Sequence, residues 1–250
     1  MRNAFARNQL LLHYQPQVDK QGRIVSAEAL LRWNHPQKGV VATTDFIDIA
    51  EDTWQIIPIG LWALREACAQ KQRWAAAGVD LEHVAVNIGL RQFRHRDFVR
   101  QIQQVIEENR MMPGELLIEL TEAVVSDNID ETVRNMQDLQ TLGVGLAIDD
   151  FGTGYSSLIH LKQLPLDQLK IDQSFVRDIG SDANDRIIVE TIIDMARNLG
   201  LEVVAEGVET RQQADFLCAK GCTVLQGYYF SKPCAADVFA EFYRQWQLSS

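Results

Sequence analysis

Cysteine and proline are scarce in this chain, at 4 and 6 of 250 residues. Cys68, Cys218, Cys222 and Cys234 show no even spacing, so a disulfide framework is excluded and reduced thiols are expected. Cys218 and Cys222 lie four apart, but no histidine or further cysteine pair stands at zinc spacing, and the intervening Ala-Lys-Gly reads as a helix end. Long uncharged runs are also missing. The longest, Thr53 to Leu64, has 12 residues, against the roughly 18 that a bilayer span requires. Arg2 and Arg7 precede an apolar patch of only Leu10 to Leu12, too short for the core of a secretory signal, and the expected location is the cytoplasm. Basic residues number 24 against 34 acidic ones, a net charge of −10. That balance argues against polymer nucleic acid as the main partner, whose usual footprint is a basic stripe, and leaves a small anion free to bind locally. No Ser/Pro/Gly-rich linker divides the chain, so one domain over residues 1–250 is preferred to two.

What is present is an ordinary globular composition, 46% hydrophobic and 23% charged, with one recurring pattern. An amphipathic helix ends at a glycine, a short β-rich strand follows, and the strand finishes on a polar residue: Gly78 to Asn87, Gly143 to Asp149, Gly200 to Glu206 and Gly221 to Gln226. The clearest helix is Asp182 to Leu199, where Ile188, Thr191, Ile192, Met195 and Leu199 recur at three- and four-residue steps before the capping Gly200. Further strands are expected around Glu119 and over Leu169 to Ile171. Alternating helix and strand predicts a mainly parallel sheet covered by helices. The opening differs, since Leu10 to Val18 and Ile24 to Trp33, joined by a turn containing Gly22, read as an antiparallel hairpin.

The acidic and amide residues fall in telling places. Glu28, Asn87, Glu119, Asp149, Asp150, Glu206 and Gln226 all sit in, or at the carboxyl end of, a predicted strand. In an α/β barrel or open parallel sheet those ends converge on the face where active sites lie. A helix cap or solvated turn would explain any one of them, but not seven. Five clustered carboxylates repel one another and resist ionisation unless cations join them. An all-oxygen donor set with no sulfur suits Mg²⁺ or Mn²⁺ better than zinc or copper, and adjacent Asp149 and Asp150 suit a pair of ions bridged by one carboxylate. His13, His35, His83, His95 and His160 are expected in surface or packing roles. Phe151 to Ser156 looks like a phosphate loop but lacks the third glycine of the dinucleotide fingerprint, and a flexible lid fits better. Lys170, at a strand end, offers an ammonium to a phosphate or a water.

Nine ordered motifs then match one family over essentially the whole chain. They are YQP at Tyr14 to Pro16, EALLRW at Glu28 to Trp33, FIDIAE at Phe46 to Glu51, VN at Val86 to Asn87, ELTE at Glu119 to Glu122, DDFGTGYSSL at Asp149 to Leu158, LKID at Leu169 to Asp172, AEGVET at Ala205 to Thr210, and QGYYFSKP at Gln226 to Pro233. With these the chain resembles the EAL-domain phosphodiesterases, which hydrolyse cyclic di-GMP to linear pGpG. The resemblance implies a TIM-like (β/α)8 barrel with one antiparallel strand, two Mg²⁺ or Mn²⁺ ions per subunit, a homodimer, and an upstream sensory or GGDEF domain. It assigns Glu28, Asn87, Glu119 and Asp149 to one ion, and Asp149, Asp150 and Glu206 to the other. Lys170 would hold the attacking water, so that Lys170, Glu206 and Asp150 form the catalytic set. Gln15, Arg32 and Gln226 would contact substrate, Arg32 at a phosphate. Glu122 would anchor the loop Asp150 to Ser156, with Glu209 a supporting carboxylate.

Three departures from the family habit are visible: Ile88 where Ser is frequent, the lack of a frequent Pro near Thr43, and Trp54 where Gly is frequent, which puts the rim around the guanine pocket in question. None removes a metal ligand. Two rival readings stand beside hydrolysis. One is a receptor or scaffold that binds cyclic di-GMP without turnover, although such chains usually lose ligands that this one keeps. The other is a generic acidic-metal barrel acting on another phosphate ester.

Overall fold

The strand and helix signals close into a single ring in the computed structural model, which describes residues 4–5, 7–123, 128–152 and 158–248. Nine strands are described: β1 (Leu10–Asp19), β2 (Ile24–His35), β3 (Gly39–Ala42), β4 (His83–Ile88), β5 (Leu116–Thr121), β6 (Gly145–Phe151), β7 (Gln168–Ile171), β8 (Glu202–Ala205) and β9 (Val224–Gln226). Eight of them form the barrel in the order β1, β2, β4, β5, β6, β7, β8, β9, and β9 bonds back to β1. Strand β1 runs antiparallel to both its neighbours, β2 and β9, whereas β2 through β9 are parallel around the ring. This is the TIM-like barrel with one antiparallel strand expected from the sequence. Strand β3 was not expected. It bonds antiparallel to the far end of β2, outside the ring, and four residues with no alternating polarity give little signal.

The helices that follow the strands cover the barrel, and the main core lies between the two layers. Among the described residues, one small apolar group lies inside the ring, Ala85, Leu117 and Ala147. Most hydrophobic burial is therefore outside the barrel wall, which frees inward-pointing positions for polar residues. The helix Ala183–Asn198 lies where predicted, capped by the Asp182 side chain on the Asn184 amide and ended before Gly200 at φ +75°. Its inward face differs from the predicted stripe. Val189, Ile192, Ile193 and Ala196 are buried while Ile188 and Leu199 are exposed, because apolar residues nearly surround this helix and composition alone left two rotations open. No described helix is long and apolar enough to cross a membrane.

Candidate active site

Strand alternation aims the site. Register sets Gln15 beside Glu28, and Asn87 beside Glu119, on the inner face near the carboxyl ends of the parallel strands. Regular alternation would send Asp149 and Asp150 to opposite faces. Instead the β6–β7 register slips between Ile148 and Phe151, and Asp150 takes a left-handed backbone at φ +54°, the bulge geometry that re-aims a side chain. Carboxylate oxygens of Asp149, Asp150 and Glu206 consequently lie within 4.8 Å of one another.

Beneath them stands Lys170, wholly buried. Its Nζ is 2.7 Å from Glu206 Oε1, 2.9 Å from Glu119 Oε2, 3.3 Å from Asp149 Oδ1 and 3.7 Å from Glu28 Oε2. One ammonium thus serves four carboxylates, with Asp150 a fifth acid at the rim. Burial raises Glu119 well above the usual carboxylate range, and repulsion from Glu28 adds to it. Glu206 is pushed up to about 8, first by burial, with Lys170 opposing and Asp149 and Glu28 reinforcing. Asp150 rises to about 6 through burial and then the charges of Asp149 and Asp172. Glu28 goes the other way: burial would raise it, but Lys170, Gln226 and Asn87 together hold it below its ordinary value. The Lys170 ammonium, disfavoured by burial, is held by its four acids above the usual lysine range, and its Nζ lies closest to Glu206 and Glu119.

The donor set fits hard divalent cations. Glu119 Oε1 is buried without a hydrogen-bond partner, and the Asn87 amide donates its Nδ2 to Glu28 Oε1 at 2.6 Å, leaving its carbonyl oxygen available. Six oxygen-bearing residues with surplus negative charge and no histidine or sulfur suit a hard cation better than a soft one.

Above the cluster opens a cavity of about 790 Å³, whose wall includes Glu28, Asn87, Asp149, Asp150 and Glu206, and also Gln15, Arg32, Gln226 and Glu209. Arg32 Nη1 donates to the Leu31 carbonyl at 2.8 Å, and the Thr43 hydroxyl, which bonds the same carbonyl, lies 3.4 Å from it. Glu122 is buried just past β5 and is not part of that wall. Of the loop Asp150 to Ser156, residues 153–156 lie outside the described residues. Trp54 does not line the cavity. It is exposed, at φ +58°, with the Arg91 guanidinium 5.1 Å above its ring. Arg91 also donates to the Glu51 carbonyl, and Glu51 lines the cavity, so Trp54 reaches the rim only through Arg91. The left-handed backbone explains why glycine suits that position. The four cysteines are free, as expected, and Gly221 ends the helix carrying Cys218 at φ +98°. Two further polar residues, Gln17 and Ser26, lie buried one layer below the cluster; sequence reading passed them over, although they share the alternation of Gln15 and Glu28.

Comparison with known proteins agrees with this geometry. The EAL domain family model matches residues 1–233. The bifunctional diguanylate cyclase/cyclic di-GMP phosphodiesterase MucR of Pseudomonas aeruginosa is 42% identical over 95% of this chain and 35% of its own length. The cyclic di-GMP phosphodiesterase PdeR of Escherichia coli is 37% identical over 98% of this chain and 37% of its own. The chain therefore spans about a third of these relatives. Among solved structures, the PaMucR phosphodiesterase in a c-di-GMP complex superposes with a TM-score of 0.92 at 42% identity, covering 95% of this chain and 97% of that one. The EAL domain of Mycobacterium smegmatis DcpA superposes at 0.80 with 35% identity, over 95% and 97% of the two chains. The match spans nearly all of both sequence and fold, and this chain belongs to the EAL domain family.

Proposed function

We propose that this chain hydrolyses one phosphodiester bond of cyclic di-GMP to give linear pGpG. The observation that carries the reading is the convergence of Glu28, Asn87, Glu119, Asp149, Asp150 and Glu206 on one mouth, under a cavity of about 790 Å³. Support comes from relatives named as cyclic di-GMP phosphodiesterases. Glu28, Asn87, Glu119 and Asp149 would hold one Mg²⁺ or Mn²⁺, and Asp149, Asp150 and Glu206 a second. Bound there, the two ions supply Lewis acidity at the phosphate and lower the pKa of the attacking water.

The chain's own residues do the rest. Lys170, kept cationic by its four acids, donates hydrogen bonds to the water and orients it toward phosphorus. Arg32 neutralises a non-bridging phosphate oxygen, and its guanidinium is pinned by the Leu31 carbonyl and Thr43. Gln15 and Gln226 face the sugar–phosphate ring from the β1–β9 side of the cavity. Glu122 anchors the loop that begins at Asp150, and Glu209 supports it. The domain works as a homodimer in the cytoplasm, within a longer protein that adds a sensory or GGDEF domain.

The test is product analysis. The purified chain, with Mg²⁺ or Mn²⁺, should release pGpG from cyclic di-GMP, and chelation should stop it. Cyclic di-GMP bound but recovered intact would assign the receptor role instead. Cleavage of a simple diester such as bis(p-nitrophenyl) phosphate in preference to cyclic di-GMP would mean a generic phosphodiesterase.

A further inference from the structure

Below the carboxylate cluster runs a chain of amides whose direction is fixed at both ends. Gln226 Nε2 donates to Glu28 Oε2 at 2.5 Å and to Gln15 Oε1 at 3.1 Å. Gln15 Nε2 in turn donates to the Ser231 carbonyl at 3.0 Å. Behind Gln226, Gln17 Nε2 donates to Gln226 Oε1 at 2.8 Å, and the Ser26 hydroxyl donates to Gln17 Oε1 at 2.6 Å. Gln17 and Ser26 are cross-strand partners on β1 and β2, and Gln17 also pairs with Gln226 across to β9.

An ionised carboxylate and a backbone carbonyl only accept, and that settles every amide in the series. Glu28 requires a nitrogen from Gln226. The oxygen of Gln226 then points back and needs a donor, which is Gln17 Nε2. The oxygen of Gln17 needs one too, and Ser26 provides it. With Gln17 and Ser26 both almost fully buried, no solvent competes for these positions, and a wrongly turned amide would set two acceptors face to face.

We propose that Gln17 and Ser26 are positioning residues that lock Gln226 in the one orientation that steadies Glu28 for a divalent cation. Gln226 and Asn87 each donate to a different oxygen of Glu28, which fixes the plane of its carboxylate and leaves a lone pair free on each oxygen. The inference rests on the metal-dependent reading above and adds a layer of residues to it. It concerns affinity for the ion, since neither Gln17 nor Ser26 borders the cavity.

The experiment is a Mn²⁺ titration of the whole chain without nucleotide, by electron paramagnetic resonance, on the parent, Gln17→Leu, Ser26→Ala and the double variant. Thermal unfolding of the chelated proteins runs alongside. Residues that orient metal ligands commonly contribute about 10- to 100-fold in affinity, and Gln17→Leu should weaken the tighter Mn²⁺ site within that range, with Ser26→Ala weaker in effect. Adding Ser26→Ala to Gln17→Leu should cost no further affinity, because the link it served is already cut. Unchanged Mn²⁺ affinity in Gln17→Leu with a lowered unfolding temperature would make Gln17 a core filler and overturn the proposal, as would additive losses in the double variant. Should Gln17→Leu not fold, unchanged affinity in Ser26→Ala overturns it alone. A parent that binds no Mn²⁺ would sink the metal reading itself, a result distinct from the other two.

Discussion

At its carboxyl-end mouth the barrel gathers Glu28, Glu119, Asp149, Asp150 and Glu206 around Lys170; at the opposite mouth Glu82, Asp167 and Glu202 line a second cavity, of about 590 Å³, with His83 and Gln168. Both ends are acidic. At the second, each carboxylate has a local use or faces outward: Glu202 accepts from Gln168 Nε2 at 2.5 Å, and Asp167 accepts from the Leu146 amide at 2.9 Å. His83 is held neutral there, lowered to about 4 by burial and then by Lys71. Among the described residues, a set of three metal-capable oxygens in mutual reach occurs only at the first mouth. Acidity is thus common to both ends, and what separates them is convergence of buried charge on too few cations.

The sharpest way to break this comparison is to remove its central oxygen. Because residues outside the ligand set already contribute about 10- to 100-fold, Asp149→Ala should lower kcat/KM for pGpG release by more than about a thousandfold. Its fold, read by circular dichroism, should persist, since the side chain lies at a mouth and fills no core. Activity within tenfold of the parent would mean that the carboxylates do not act together.

A second effect is smaller and concerns stability. Glu206 sits at about 8 when folded against an ordinary 4.5, so between those values the folded chain binds more protons than the unfolded one. Stability of the chelated protein should therefore fall as pH rises from 6.5 to about 8, by about 1.4 kcal/mol per pH unit for this one group, and Asp150 contributes the same sign between 3.8 and about 6. Glu28, held low, and Lys170, held high, change outside that range, whereas His83, lowered from 6.5 to about 4, opposes the slope below 6.5 and is silent above it. Urea unfolding across the window reads it, and Mn²⁺ should flatten the curve by favouring the ionised carboxylates. A flat profile in the chelated protein would show that the cluster shares its charge more evenly than its distances indicate.

Least should happen at the other mouth. Glu202→Gln should leave turnover unchanged and shift unfolding by no more than about 1 kcal/mol, since the Gln amide oxygen can still accept from Gln168 Nε2. A loss of activity there would link the two mouths through the barrel wall and erase the contrast.

Most of the candidate site was legible because its residues are polar where period-two alternation and glycine-ended helices mark the carboxyl ends of strands. Glu28, Asn87, Glu119, Lys170 and Glu206 need nothing more than strand direction to be placed. Asp150 is different: alternation alone turns it away, and only the bulge and its left-handed backbone bring it in. Gln17 and Ser26 looked like ordinary polar strand positions, since hydrogen-bond polarity across three strands has no trace in one-dimensional order. The rotation of the helix Ala183–Asn198 was ambiguous for a related reason, as Ile187, Ile188 and Ile192 offered competing apolar stripes and only packing against the barrel chose among them.

Strand β1 runs against the other seven strands of the ring, and Leu10 at its start pairs with Trp33, up at the level of the cavity mouth, while Gln17 lies deeper. Residue 4 and Leu10 share a small apolar cluster with Ile56 and Ile59, and both isoleucines belong to the cavity wall. The residues ahead of β1 therefore pack directly against the wall of the site. The antiparallel β1 thus brings the start of the barrel to the same mouth as the site, where an all-parallel ring would place it at the far mouth, a barrel's length away from the carboxylates.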